Sequence, residues 1–320
     1  YKQQDPAPRY HARELAERIA RLGNAVLVLG SATPDISSYH KSQIGEYELL
    51  TLPKRIVPTV NEDIRLESLP RVNIIDMREE LKSGNTSIFS KALHHGINET
   101  LDRHEQAILF LNRRGTATSV QCRSCGYIER CKNCSTAYTF HAPNILLCHQ
   151  CSRRAITTKT CPECSSEKIR FVGIGTQRVV QEVLNLFPRA RVLRWDRDTA
   201  TRQTTHKKIL DSFLKHEADI LVGTQMLAKG LHFPLVSLVG AINGDIGLHL
   251  PDFRAAERTF QVLSQVSGRA GRGLTQGKAI VQTYDPENYA MQAVSHISFE
   301  DFYEEEISFR QMVGYPPFTN

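Results

Sequence analysis

Eight cysteines, all between Cys122 and Cys164, fall into four CxxC pairs: Cys122 with Cys125, Cys131 with Cys134, Cys148 with Cys151, and Cys161 with Cys164. A CxxC turn points two sulfurs at one ion, and two such turns complete a tetrahedral shell of four thiolates, so the spacing predicts two Zn2+ per chain. A disulfide framework would suit an oxidising compartment and would not place every cysteine in a CxxC pair. Redox CxxC motifs open a helix, a context that four pairs side by side lack. Four thiolates leave no position for water, so the expected zinc is structural.

Two pairings are open. Nesting joins Cys131, Cys134, Cys148 and Cys151 across a hairpin and leaves Cys122, Cys125, Cys161 and Cys164 to close its base; an interleaved cross-brace is the alternative. Nesting is preferred, although spacing alone does not decide. His141 and His149 lie inside the cluster, but eight thiols complete both shells without them, and the two histidines are expected to be exposed. Residues 121–170 hold eight Lys/Arg against three Asp/Glu. Two zinc ions in eight thiolates carry a charge of −4, so much of this basicity balances the metal sites. The whole chain is mildly basic, with net charge +6, which favours a polyanionic partner without identifying one.

No apolar run approaches the ~20 residues of a membrane helix, and Tyr1 opens no signal peptide. We therefore expect no membrane partner and a cytoplasmic protein. Tyr1 begins without a cap or core signal, and a segment of a longer polypeptide is expected. Around the cluster the pattern is that of an α/β chain. Residues 9–22 read as an amphipathic helix through Leu15, Ile19 and Leu22, with 25–29 as a strand. Residues 51–69 carry Pro53, Pro58 and mixed charge without periodicity, as a linker does. Strand-length apolar runs at 107–111, 190–193, 219–223, 235–242 and 279–283 then alternate with helical stretches at 177–187, 204–215 and 255–266, which predicts βαβ units around a parallel sheet flanked by helices. The cysteine cluster should emerge from one edge of that sheet.

Three short stretches point to phosphate chemistry. GSATP at 30–34 and GTQMLAKG at 223–230 follow strand-like runs, where small hydroxyl-bearing turns open onto a crevice. QVSGRAGR at 265–272 spaces Arg269 and Arg272 three apart among glycines, offering forked guanidinium donors where backbone can approach closely. In this order the three resemble motifs III, V and VI of superfamily 2 helicases. With FLNRRG at 110–115 before the CxxC pairs, DFRAAER at 252–258, and GYPPF at 314–318, the chain resembles the PriA family of bacterial primosomal replication-restart helicases over essentially its whole length.

The resemblance implies a motor of two RecA-like lobes with ATP and Mg2+ between them, unwinding DNA 3′ to 5′ at stalled or branched forks and initiating primosome assembly. On that footing residues 1–53 are the tail of the first lobe, 54–120 the linker and start of the second, 121–170 its zinc-binding insertion, 171–293 the rest of the second lobe, and 294–320 the start of a C-terminal domain. Arg269 and Arg272 would reach the triphosphate, with Gln265 positioning them. Thr33, Thr224 and Arg113 would serve coupling and DNA contact, and Tyr1 and Tyr10 would belong to an aromatic-rich loop that meets DNA bases. Implied partners are forked and single-stranded DNA, single-stranded DNA-binding protein, other primosome proteins and the machinery that loads the replicative helicase.

One departure limits this implication. The chain has no GxxxxGK[ST] loop and no acidic DEAH-type box. The nearest decoy, QGKA at 276–279, lacks the upstream glycine and the hydroxyl for Mg2+. The chain alone is therefore expected not to hydrolyse ATP. A non-catalytic zinc-dependent module that docks DNA or protein on a RecA-like scaffold is the alternative. A zinc nuclease would need an Asp/His constellation with an open site, and the sequence has none.

Overall fold

The computed structural model describes residues 10–52, 55–58, 64–67, 70–112, 119–134, 136–141, 144–172, 175–196, 198–199, 203–228, 233–250, 252–271 and 277–319. It divides into a short unit, Tyr1–Pro34, and a large one, Asp35–Asn320. Within the short unit, helix α1 (Ala12–Leu22) has the expected apolar face, but Leu15, Ile19 and Leu22 are all exposed. Residues 25–29, expected as a buried strand, are not one. Val26 and Val28 stand in solvent and no described strand pairs with them, because an apolar run becomes a strand only where a neighbour takes its backbone N–H and C=O groups.

The large unit begins with α2 (Ile36–Gln43), capped by the Asp35 carboxylate on Ser38 N–H at 3.1 Å. A two-stranded antiparallel ribbon, β1 (Arg55–Pro58) and β2 (Ile64–Glu67), occupies the stretch expected as a linker. Then come β3 (Val72–Asp76), α3 (Met77–Lys82), α4 (Lys91–Asp102) and β4 (Gln106–Phe110). The cysteine region follows as β5 (Ser119–Cys122), β6 (Thr139–His141), β7 (Ile145–Leu147), β8 (Arg154–Ile156) and β9 (Ile169–Val172). Beyond it lie α5 (Thr176–Leu186), β10 (Val192–Trp195), α6 (Gln203–Leu214), β11 (Ile220–Gly223), β12 (Val236–Ala241), α7 (Ala255–Ser267), β13 (Lys278–Thr283), α8 (Tyr289–His296) and α9 (Phe299–Val313).

Six strands form one parallel sheet in the order β10-β11-β4-β12-β13-β3. Alternate residues of each strand feed two cores. Ile108, Phe110, Leu221, Val239 and Val281 face one side under α6 to α9, and Ala107, Leu109, Ile220, Val222, Leu238 and Ile280 face the other under α4 and α5. Burial on both faces is why these strands read as unbroken apolar runs. Gln282, buried in β13, donates to the Ile88 and Ile242 carbonyls (2.8 and 2.9 Å) and accepts from Ser90 N–H (2.7 Å), satisfying backbone groups before α4 and just past β12.

Two elements from outside the residues expected as the second lobe pack on the core of the large unit. Helix α2, counted with the first-lobe tail at 1–53, packs on the large unit through Tyr39 against Phe299 and Tyr303, and Ile36 N–H reaches the Glu257 carboxylate at 3.1 Å. Helix α9, counted with a further domain, lies in the same core, with Phe302 stacked on Phe260 of α7 at 4.5 Å between ring centroids. Arg310, 1% exposed, pairs with Glu257 and Glu306 and so ties α9 to α7. Gly314, at φ +67°, ends α9 as its position before two prolines predicts. The cysteine insertion also leaves the sheet differently: it follows β4, which lies between β11 and β12, and not an edge strand.

Candidate metal centre and motif loops

The four CxxC pairs adopt one turn. In each, the first cysteine's N–H donates to the carbonyl five residues on: Cys122 to Tyr127, Cys131 to Thr136, Cys148 to Arg153 and Cys161 to Ser166, at 2.8 to 2.9 Å. Where the fourth residue after that cysteine is described, its N–H returns to the cysteine carbonyl, from Gly126, Ser152 and Ser165, and those three residues have positive φ of 82°, 61° and 58°. This geometry leaves the first sulfur of every pair buried and the second nearer the surface.

The sulfurs gather as two sets, Cys122, Cys125, Cys161 and Cys164, and Cys131, Cys134, Cys148 and Cys151, each with all four atoms within 4.8 Å of one another. The nested pairing is the one the fold adopts. The antiparallel pair β5–β9 brings the outer knuckles together, and the sheet β6-β7-β8 spans the inner ones. Zn–S bonds of about 2.3 Å in a tetrahedron put sulfurs about 3.8 Å apart. The separations are 3.7 Å for Cys122–Cys164 and Cys125–Cys161, 3.5 Å for Cys131–Cys151, 3.8 Å for Cys134–Cys151 and 3.3 Å for Cys134–Cys148, so the outer set matches that shell and the inner set is drawn slightly tighter.

The electrostatics agree. Burial, then the crowded thiols of Cys164, Cys161 and Cys122, push Cys125 up to about 12 despite a backbone N–H from Tyr127. At Cys131 burial works in the same direction, but the N–H groups of Asn133 and Cys134 point at the sulfur and hold it down to about 6. Four thiols so close cannot all ionise without a cation among them, and the amides are aimed to receive thiolates. Polar side chains bridge knuckles within each set: Ser124 to Ser166 (2.8 Å), and Thr136 to Gln150.

The outer knuckle is seated on the sheet. Arg123 donates to the Tyr284 hydroxyl (3.0 Å) and to the Ser87 carbonyl (3.1 Å), so one of the module's basic residues serves docking. Gln121 faces Asp245, which is fully buried and accepts from Tyr284 N–H (2.6 Å) and the Thr283 hydroxyl. Burial pushes Asp245 up to about 6 against those bonds. Sequence reasoning missed Asp245, although its position just past the carboxyl end of β12, where sites of parallel sheets gather, was a usable signal.

The motif residues separate into two groups. Thr224 follows β11 at the carboxyl end of the sheet, and Gln225 beside it lies 3.4 Å from Asn112, which follows β4. Asn112, Gln225, Gly247, Arg258 and Thr259 line a small recess there, where a Cβ on Gly247 would collide with Thr259 and Asn112. Arg258 is also paired with Asp252, so the DFRAAER stretch closes on itself. Arg269 lies past the far end of α7. Two residues later Gly271 N–H donates to Val236, the first residue of β12, at 3.0 Å. Since β11, β4 and β12 run parallel in matched register, Thr224 and the Arg269 loop stand at opposite ends of the sheet.

Arg269 is 4% exposed and engaged within the lobe, and Gln265 sits in the last turn of α7 with polar contacts of its own. The decoy glycine at 277 has a packing reason: a Cβ there would stand 2.7 Å from the Gly271 Cα, so β13 enters directly beneath the arginine loop. Thr33 lies in the short unit with its N–H on Ser31 Oγ (3.1 Å), and Tyr10 is exposed. Arg272, Arg113 and Tyr1 lie outside the described residues. Among the described residues no helix is long and apolar enough to cross a membrane.

Comparison with known proteins gives these features a family. Residues 169–273 match the helicase conserved C-terminal domain. The replication restart protein PriA of Bacillus subtilis is 48% identical over 99% of this chain, that of a Synechocystis strain 44% over 99%, and that of Chlamydia muridarum 40% over 100%. The chain spans 38%, 38% and 42% of those proteins' own lengths, about two fifths of each. Across nearly all of its residues the chain matches the C-terminal part of the replication restart protein PriA.

Proposed function

We propose that this chain is the second motor lobe, with its zinc-bearing insertion, of an ATP-dependent 3′–5′ DNA helicase that recognises stalled or branched forks and initiates primosome assembly. The observation that carries the reading is the separation of the motif residues to opposite ends of one parallel sheet. Two ends suit two ligands. The recess of Asn112, Gln225 and Arg258 beside Thr224 would meet DNA phosphates, and the Arg269 and Arg272 loop would meet a triphosphate. Gln265 would orient the loop and Arg113 would serve DNA contact, while Thr33, Tyr1 and Tyr10, in the short unit, would serve coupling and DNA contact of their own.

In this scheme the triphosphate and its Mg2+ are held by a P-loop and an acidic box that residues 1–320 lack, and the isolated chain hydrolyses no ATP. Arg269, buried within the lobe, would exchange its present contacts for phosphate oxygens when the two lobes close. Zn2+ would sit in the two four-cysteine shells and supply structural bonds only, since neither shell has an open position. The proposed division follows the family: 1–53 with the first lobe, 54–120 and 171–293 as the second around the insertion 121–170, and 294–320 leading onward. Forked and single-stranded DNA, single-stranded DNA-binding protein, primosome proteins and the replicative helicase loader are the proposed partners.

The test uses the longer polypeptide. Arg269→Ala together with Arg272→Ala should lower DNA-stimulated ATP hydrolysis by roughly 10³- to 10⁵-fold, the range that arginines of this kind contribute to phosphoryl transfer. Hydrolysis unchanged by the double substitution would overturn the motor assignment and favour a module that only docks DNA or protein.

A further inference from the structure

His141 ends β6, and His149 lies inside the Cys148–Cys151 knuckle; both rings are exposed, and neither belongs to a four-cysteine set. Their Nε2 atoms are nevertheless 3.4 Å apart, with ring centroids at 5.5 Å and planes inclined by 56°, so the nitrogens converge while the rings do not stack. A direct N–H···N bond would favour a separation of about 2.7–3.2 Å. An ion bound at about 2.0–2.1 Å from each nitrogen would instead subtend an angle of about 110°, the tetrahedral value. The spacing is that of a hydrogen bond near its long limit and equally that of a shared metal.

We propose that His141 and His149 form a third metal site, selective for a borderline divalent cation of the Zn2+ or Ni2+ type, on the surface of the inner zinc knuckles. Imidazole nitrogen is the ligand such ions prefer outside thiolate sites. The neighbouring inner shell, filled with zinc, carries a charge of −2 and attracts a further cation. Among the described residues no third Cys, His, Asp or Glu completes the set, so water takes the remaining positions and the ion exchanges readily. The site therefore differs in kind from the two closed shells: it is weaker, labile and open to an added ligand.

The full-length protein with both four-cysteine shells zinc-loaded is titrated with Ni2+ by calorimetry, and Zn2+ protection of histidines from diethyl pyrocarbonate is read by mass spectrometry. A third equivalent should bind in the micromolar range. Its affinity should fall about tenfold or more in both His141→Ala and His149→Ala, since loss of a direct ligand exceeds what even an outer partner contributes. The two tight zinc ions should remain in each variant, and Zn2+ should protect His141 and His149 together. A wild-type protein that takes no third equivalent, or a third equivalent that survives both substitutions, overturns the site. Should His149→Ala disturb the inner shell, His141→Ala and the labelling decide: protection of neither residue, or of one alone, is equally fatal.

Discussion

Gly126, in the first knuckle, lies so close to Tyr284 that a Cβ on it would stand 2.5 Å from the tyrosine's carbonyl oxygen. Its φ of +82° is also one that side chains resist. Gly126→Ala should therefore lose about 2–4 kcal/mol of stability, combining left-handed strain with overpacking at a backbone contact. Denaturant unfolding of the zinc-loaded protein measures this, and a loss below the reproducibility of the method would show that the module is not seated as described.

Zinc content should be two ions per chain, falling to one when Cys131→Ser opens the inner shell and leaves the outer four sulfurs in place. Removing both ions should unfold the insertion, because binding free energy at such sites, on the order of 10 kcal/mol, is also folding free energy. Hydrogen exchange then separates the parts. Amides of 119–172 should lose protection under chelation while β4, β11 and β12 keep theirs, and uniform loss would mean that the lobe depends on the metal as well.

Arg310 answers two buried carboxylates at once, Glu257 at 2.8 Å and Glu306 at 2.6 Å. Burial pushes Glu257 upward and Arg310 opposes it. Arg310→Leu leaves both acids uncompensated and should cost about 3–5 kcal/mol, whereas replacing all three by apolar residues should cost much less. Thermal unfolding of the single and triple variants distinguishes a paired network from a mere packing position.

Asp245 holds its proton to about pH 6 in the folded protein, above the ordinary carboxyl range, because it is buried. The folded state thus binds more protons than the unfolded one between roughly pH 4 and 6. Its contribution is fully present below that window, declines as pH rises through it, and is constant above. Asp245→Asn keeps an acceptor for Thr283 and Tyr284, so the variant should gain on the wild type across the window, reaching on the order of 3 kcal/mol at pH 7. Comparing the two proteins cancels the acid sensitivity of the thiolates, and parallel stability profiles from pH 4 to 8 would refute the buried titration.

The metal shells and the parallel sheet were legible for a common reason: each is written in local spacing. CxxC fixes a turn, and strands buried on both faces are continuous apolar runs. What the sequence did not reveal depends on neighbours. Residues 25–29 have strand composition but, among the described residues, no strand beside them. Helix α2 and helix α9 join the large unit through Ile36, Tyr39 and Phe302, whose partners are remote in the chain. Asp245 and Gly277 look like ordinary loop residues until Gln121 and Gly271 are brought against them. The nested pairing, open on spacing alone, follows from the β5–β9 register that sets Cys122 opposite Ile169.

The insertion's departure from an inner strand has a bearing on how the polypeptide assembles. Between the end of β4 and the start of α5 the chain makes a long excursion, yet lengthening a slack loop adds only about 0.6 kcal/mol per doubling. Strand β4 can thus find β11 and β12 while the knuckles are still unformed, and metal capture can come last, tightening an appendage already tethered at both ends of its stem.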